Sequence, residues 1–153
     1  MTHWLSRKYK ISPEPLAALV SEAWSLGERS QISPTLILAI MAIESRFNPF
    51  ASGSQGGMGL MQIEPDAHSS ALSPFGGRLA AFDPLTNLRI GTRHLQALIQ
   101  NASSLEDALQ LYARDSGQTQ DSLYVDKVLA EQKLLDNAGK GQKTALANRT
   151  NPL

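Results

Sequence analysis

The chain has 153 residues, its 14 Lys and Arg balance its 14 Asp and Glu, and it contains no cysteine. This length is typical of one domain with a single hydrophobic core, and the absence of thiols excludes disulfides, thiolate metal sites and a cysteine nucleophile. Zero net charge argues against nucleic acid as a partner, because proteins that bind phosphate backbones carry a basic excess. The longest apolar run, residues 36–43, is too short to cross a membrane.

The charges are unevenly distributed along the chain. Residues 1–11 and 137–153 each carry three basic side chains and no acidic one, whereas residues 12–136 carry 14 acidic and 8 basic side chains. We therefore predict a basic N-terminal arm at 1–11, one folded domain at 12–136 and a disordered basic tail at 137–153. The start of the sequence lacks the apolar stretch of a signal peptide, which indicates either that the chain is not exported by that route or that a signal has been removed.

Two helices are predicted at the start of the domain. Ser-Pro pairs at 12–13 and 33–34 combine a preferred N-cap residue with proline at the first helical position. Apolar residues at a spacing of about 3.6 predict a first helix over about 13–29. The second helix is more strongly apolar, and a nearby proline ends it close to Phe47.

The helical pattern is interrupted after the second helix. Residues 51–59 hold four glycines, which predicts a loop with a short two-stranded ribbon, and a second loop is predicted at 73–82. Three further helices are predicted, starting at Asp83-Pro84, at about 105–113 behind the capping pair Ser104 and Asp107, and at about 121–136. The fold class is therefore mainly α, a single helical domain with a small glycine-rich loop or β-hairpin insertion.

Glu44 is the most informative residue for function. It lies four residues after Ile40 and seven after Ile37, on a face of the apolar helix that must be buried. Burial disfavours the charged form of a carboxyl, and the negative end of the helix dipole acts in the same direction. A glutamic acid that stays protonated near neutral pH can act as a general acid. The alternative is a structural glutamate bonded to a backbone group or to Arg46.

The residues around Glu44 closely resemble the soluble lytic transglycosylases. That resemblance rests on Glu44-Ser45, a glycine-containing loop, and then Gly-Leu-Met-Gln at 59–62. Later motifs of the family match Asp83-Pro84, Asn87-Leu88, Gly91, His94-Leu95, Ala108-Leu109, Tyr112, Tyr124-Val125 and Val128. Together the matches extend over about residues 16–130.

The resemblance implies a goose-type lysozyme-like fold and cleavage of the β-1,4 bond between N-acetylmuramic acid and N-acetylglucosamine in peptidoglycan, without a metal or other cofactor. By similarity, Glu44 protonates the leaving oxygen and then takes a proton from the C6 hydroxyl, which closes a 1,6-anhydro ring. Tyr124 is expected near Glu44. The residues expected to bind substrate are Ser45, Gly59, Leu60, Met61, Gln62, Tyr112 and Tyr124.

Partners and location also follow from the resemblance. It implies that the chain acts as a monomer on peptidoglycan glycan strands, in the bacterial cell envelope or periplasm. Its small size would suit an enzyme that serves a secretion or conjugation apparatus, or one that a phage particle delivers.

One family motif, Ala-Tyr-Asn-x-Gly, is incomplete in this chain. Tyr112 is followed by Ala113 where the family has asparagine. In an alternative register, residues 115–117 replace Asn-x-Gly and Arg114 replaces the tyrosine. Neither register restores the asparagine.

Two other functions therefore stay open. A hydrolytic muramidase of goose type would need a second acid to position water, and the candidates are Asp66, Asp83 and Asp115. An inactive wall-binding or structural component of a secretion machine or phage particle would need no acid at all.

Overall fold

In a computed structural model, residues 1–149 are described, with their side chains over residues 1–140. This part of the chain is mostly helical, which confirms the predicted mainly-α class. Its α-helices are α1 Thr2–Tyr9, α2 Pro13–Ser30, α3 Pro34–Ser45, α4 Ser69–Leu72, α5 Pro84–Asn101, α6 Leu105–Ser116 and α7 Tyr124–Arg149. Two 3-10 turns, Ser73–Phe75 and Arg78–Phe82, lie between α4 and α5. Among the described residues, we find no helix that combines the length and apolar character needed to span a bilayer.

Helix α3 lies at the centre of the fold, in contact with α2 and α7. Ten of its 12 residues are buried, including Ile37 and Ile40. A helix that is covered on all sides needs no polar face, which explains its nearly uniform apolar sequence. It ends at Ser45, slightly earlier than predicted, because Arg46 and Phe47 both adopt the left-handed backbone conformation. That turn directs the chain into the glycine-rich segment.

Side-chain caps mark the starts of α5 and α6 as predicted, whereas Ser12 and Ser33 occupy the N-cap positions of α2 and α3 without a capping hydrogen bond from the side chain. The Asp83 carboxylate accepts a hydrogen bond from the Thr86 N–H at the start of α5. The Ser104 hydroxyl accepts from the Asp107 N–H at the start of α6. At α2 and α3, proline occupies the start of the helix.

The glycine-rich segment forms less β-structure than a ribbon. It contains two isolated bridges, which pair Met58 with Ser52 and with Ile63. Gly59 has a φ of +77°, and a Cβ at this position would lie 2.4 Å from the Ala81 carbonyl oxygen. The backbones pass too close here for any side chain. The predicted loop at 73–82 is also more ordered than expected, since it contains both 3-10 turns.

The N-terminal prediction differs from the structure. Residues 2–9 form helix α1 instead of an arm, and Leu5 in this helix is fully buried. Met1, Trp4 and Tyr9 also pack against the core. The basic residues dominate the composition of this short segment, so its apolar face was not recognised from the sequence. That face packs on the core and anchors the helix.

The C-terminal prediction differs as well. Helix α7 begins at Tyr124 instead of 121, and its backbone is helical to Arg149, where the composition predicted a disordered tail. Alanine, lysine, glutamine and leucine are frequent in this segment and favour a helix. The last part of that predicted tail, 150–153, lies outside the described residues.

Candidate active site

Glu44 lies in the last turn of α3 and is 8% exposed. The Tyr124 hydroxyl donates a hydrogen bond to its Oε2 over 2.9 Å. The Gln118 amide donates to its Oε1 over 3.0 Å. The Ser116 hydroxyl donates to the Ala113 carbonyl over 3.3 Å and also lowers the pKa of the Glu44 carboxyl. The donors come from the end of α6, the connection to α7 and the first residue of α7, so tertiary structure assembles the site.

Burial raises the pKa of Glu44 from 4.5 to about 7. The hydrogen bonds from Ser116, Tyr124 and Gln118 favour the ionised form and lower the pKa, but desolvation is the larger effect. At neutral pH the carboxyl can therefore give up a proton and regain it. A pKa close to the working pH is the condition for efficient general acid–base catalysis.

The same shift makes stability depend on pH. In the unfolded chain Glu44 loses its proton near pH 4.5, whereas in the folded chain it keeps the proton until about pH 7. Its contribution to the free energy of unfolding is therefore fully present below pH 4.5 and is lost as the pH rises to about 7. We expect the stability of Glu44→Gln relative to wild type to increase by up to about 3 kcal/mol between pH 4 and pH 8. Urea unfolding of both proteins at these two pH values measures this, and a difference that stays constant with pH would contradict it.

Tyr112 and Tyr124 are both buried. Burial raises the pKa of each phenol well above its ordinary value, so both remain neutral hydrogen-bond donors. Tyr124 donates to Glu44, whereas Tyr112 donates to the Met61 carbonyl over 2.7 Å. Tyr112 therefore fixes the segment that follows the glycine-rich loop.

The residues of the motif at 59–62 are mostly buried, so they support the wall of the site from inside the protein. Leu60 and Met61 are fully buried. Met61 packs on α5 where Gly91 leaves room for it, since a Cβ on Gly91 would lie 2.5 Å from the Met61 sulfur. The Gln62 amide donates to the carbonyls of Ala51 and Gly59.

Asn87 is a buried anchor for the same segment, and the sequence identified it only as part of a family helix. Its amide donates to the Met58 carbonyl over 2.8 Å and to the Ala81 carbonyl over 2.7 Å. Its side-chain oxygen accepts from the Met61 N–H over 2.8 Å. Ser45 is anchored within its own helix, where its hydroxyl donates to the Met41 carbonyl over 3.0 Å.

Two cavities lie beside the partners of Glu44. One of about 300 Å³ is lined by Gln62, Ile63, Glu64, Ala67, His68, His94, Tyr112, Asp115 and Ser116. Another of about 490 Å³ is lined by residues of α6, of α7 and of the connection between them, among which are Gln118 and Tyr124. Ser116 thus borders the first cavity, and the other two partners of Glu44 border the second.

The three candidates for a second acid occupy different environments. Asp83 is an N-cap. The Asp66 side chain is 84% exposed and pairs with Arg78. Asp115 is half-buried and lines the cavity next to Ser116, where His94 Nε2 lies 2.9 Å from its Oδ2. Of the three candidates, only Asp115 lies in a cavity wall beside a partner of Glu44.

Sequence reasoning missed several residues of this site. Gln118 and Ser116 were not expected beside Glu44, and His94 was identified only as part of a family motif. The incomplete Tyr-Asn motif was the available signal, because it indicated that the end of α6 differs from the family. The described side chains include no group of three His, Cys, Asp or Glu residues arranged to hold a metal ion.

Comparisons with known proteins agree on one family. The family model for the transglycosylase SLT domain matches residues 23–134. The chain is 36% identical to membrane-bound lytic murein transglycosylase C of Yersinia enterocolitica over 91 residues, which are 51% of this chain and 25% of that protein. It is 40% identical to a putative soluble lytic murein transglycosylase of Haemophilus influenzae over 72 residues, 44% of this chain and 12% of that protein. The chain thus spans a quarter or less of these two relatives.

Proposed function

Because the chain belongs to the transglycosylase SLT domain family, we propose that it is a lytic transglycosylase that cleaves the glycan strands of peptidoglycan. The observation that carries this proposal is the buried carboxyl of Glu44, whose pKa is raised to about 7 and whose hydrogen-bond donors Gln118 and Tyr124 border a cavity. Related proteins are named lytic murein transglycosylases, which supports the same reaction. The bacterial cell envelope is then the site of action.

The proposed reaction uses one carboxyl twice. Protonated Glu44 gives its proton to the glycosidic oxygen between N-acetylmuramic acid and N-acetylglucosamine as that bond breaks. The N-acetyl group of the muramic acid assists from within the substrate. Ionised Glu44 then takes the proton of the C6 hydroxyl, whose oxygen bonds to C1 and closes the 1,6-anhydro ring. Water is not consumed, and Glu44 regains its proton.

The hydrogen-bond donors around Glu44 suit both halves of this cycle. Tyr124 and Gln118 donate to opposite oxygens of the carboxyl, and each stabilises the ionised form that exists between the two proton transfers. Burial favours the protonated form that begins the reaction. We propose that Ser45, Gly59, Leu60, Met61, Gln62 and Tyr112 contribute to substrate binding mainly through the walls that they form.

Mass spectrometry of the fragments released from purified peptidoglycan tests the proposal. We expect the ends to carry 1,6-anhydromuramic acid. Reducing ends would show that water is the acceptor, and a complete absence of products would contradict the enzymatic function itself.

Hydrolysis is the second candidate, and the position of Asp115 favours it. A hydrolytic mechanism needs a carboxylate that orients water, and Asp115 lines the cavity beside Ser116. If the chain is a transglycosylase, Asp115→Asn should keep the cleavage rate within about threefold and leave the anhydro product unchanged. If it hydrolyses, the same variant should lose about 10²-fold or more. Asp66→Asn is the matched control, since that carboxylate is exposed.

Delivery by a secretion or conjugation apparatus, or by a phage particle, is a narrower proposal. Its test is whether the tagged chain copurifies with such an assembly.

A further inference from the structure

Helix α1 precedes the residues 23–134 that the family model matches, and its last residue connects two parts of the site. The ring of Tyr9 packs edge-on against Phe47, with 5.1 Å between the ring centroids. The hydroxyl of Tyr9 donates a hydrogen bond to Oε1 of Glu131 over 2.5 Å. Fully buried Leu5 anchors the helix that carries this tyrosine.

The contact with Glu131 acts on helix α7. Glu131 is 6% exposed, and Lys8 Nζ donates to its Oε2 over 2.7 Å. A buried carboxylate depends strongly on such donors, because losing one leaves a charge without compensation. Tyr124 lies seven residues earlier, two helical turns away on the same buried face of α7. The contacts that hold Glu131 therefore also fix the position of α7 along and around its axis. They thereby fix the position of the Tyr124 hydroxyl.

The contact with Phe47 acts on the end of α3. Arg46 and Phe47 have φ values of 51° and 62°, a conformation that costs about 1 kcal/mol or more for each residue that is not glycine. Such a turn persists only where its surroundings hold it. The Tyr9 ring supplies that support, since it packs on Phe47 and lies beneath the Arg46 guanidinium at 5.3 Å. Glu44 lies in the helical turn immediately before.

We propose that Tyr9 is a positioning residue for Glu44. Its ring holds the turn that ends α3, its hydroxyl holds α7 through Glu131, and together they keep the Tyr124 hydroxyl on the Glu44 carboxyl. Three contacts, Tyr124 with Glu44, Tyr9 with Glu131 and Tyr9 with Phe47, form a circuit. The backbone closes it between Tyr124 and Glu131 and between Glu44 and Phe47. The catalytic consequence rests on the proposed function, whereas the geometric consequence does not.

Tyr9→Ala tests the whole circuit and Tyr9→Phe tests the hydroxyl alone. NMR titration of the Glu44 carboxyl reports whether the Tyr124 hydrogen bond is kept, and Tyr124→Phe supplies the reference for its complete loss. Since that bond lowers the pKa of Glu44, we expect Tyr9→Ala to shift the titration upward, in the same direction as Tyr124→Phe. We expect kcat to fall about tenfold with KM within about twofold, because displacements of less than 1 Å have effects of this size. Tyr9→Phe, which keeps the ring, should lie between Tyr9→Ala and wild type.

A purely structural role for Tyr9 predicts a different result. Leu98→Ala is the control, since Leu98 is partly buried on α5, a helix that contacts α2 and α6. We expect this variant to lose stability but to keep the Glu44 titration and kcat. If Tyr9→Ala behaves in the same way, the proposal is wrong. If the wild-type chain does not cleave peptidoglycan, the proposed function fails, and the titration alone still decides whether Tyr9 positions Glu44.

Discussion

Replacing Glu44 with Gln is expected to reduce peptidoglycan cleavage by about 10³-fold, within the range that general acid–base catalysis contributes. Gln keeps the size of the side chain, and its one amide oxygen can still accept the hydrogen bond from Tyr124. Its NH2 group can donate to the side-chain oxygen of Gln118 once that amide turns over. The introduced Gln has no proton to give to the leaving oxygen and cannot take one from the C6 hydroxyl. Glycan binding should therefore stay within about twofold, because the walls of the two cavities are unchanged.

The measurement is the rate of release of soluble fragments from purified peptidoglycan, together with a sedimentation assay for binding. Glu28→Gln on the exposed face of α2 is the matched control and should keep full activity. Cleavage by Glu44→Gln at the wild-type rate would refute the role that we assign to this carboxyl.

Replacing Asn87 with Ala is expected to lower the free energy of unfolding by about 3–5 kcal/mol. The substitution leaves three buried backbone groups without their partner, namely the carbonyls of Met58 and Ala81 and the N–H of Met61. Each such group costs about 1–3 kcal/mol when it cannot reach water. Partial relaxation of the loop keeps the total below the simple sum.

Asn101→Ala is the matched control on the same helix. Asn101 is exposed, and its amide donates to the Ala97 carbonyl of the same helix, so its loss should cost less than about 1 kcal/mol. Chemical denaturation of the two variants compares them directly. A loss below 1 kcal/mol for Asn87→Ala would mean that water or another side chain replaces the amide. Cleavage should also fall in this variant, since the anchored segment forms a wall of the site.

Local sequence patterns were sufficient to predict helices α2 and α3, the second of which carries Glu44. The Ser-Pro pairs at 12–13 and 33–34 mark real helix starts, because proline at the first position constrains the backbone regardless of what packs on it. The burial of Glu44 could also be predicted, since the apolar residues of α3 leave no exposed face. The upward shift of the Glu44 pKa could therefore be predicted from about ten residues of α3.

Features that depend on distant contacts could not be predicted. Gln118 donates to a carboxyl 74 residues away, and no periodicity in the sequence encodes that meeting. Met61 occupies the space beside Gly91, 30 residues further along the chain, and no local pattern in the sequence reveals that packing. Helix α1 was misinterpreted because its basic side chains dominate the composition, whereas buried Leu5 and the apolar residues around it place the helix on the core.

Because the pKa of Glu44 is raised only in the folded protein, the unfolded chain differs from it at this residue. Before folding, this residue is an ordinary glutamate with a pKa near 4.5 and is ionised at neutral pH. It then has no proton to donate, and the hydroxyl of Tyr124 is not beside it. Folding itself creates the proton affinity on which the proposed chemistry depends. Acid strength at this position is thus a property of the tertiary structure, and an incompletely folded chain carries the complete motif without the reactivity.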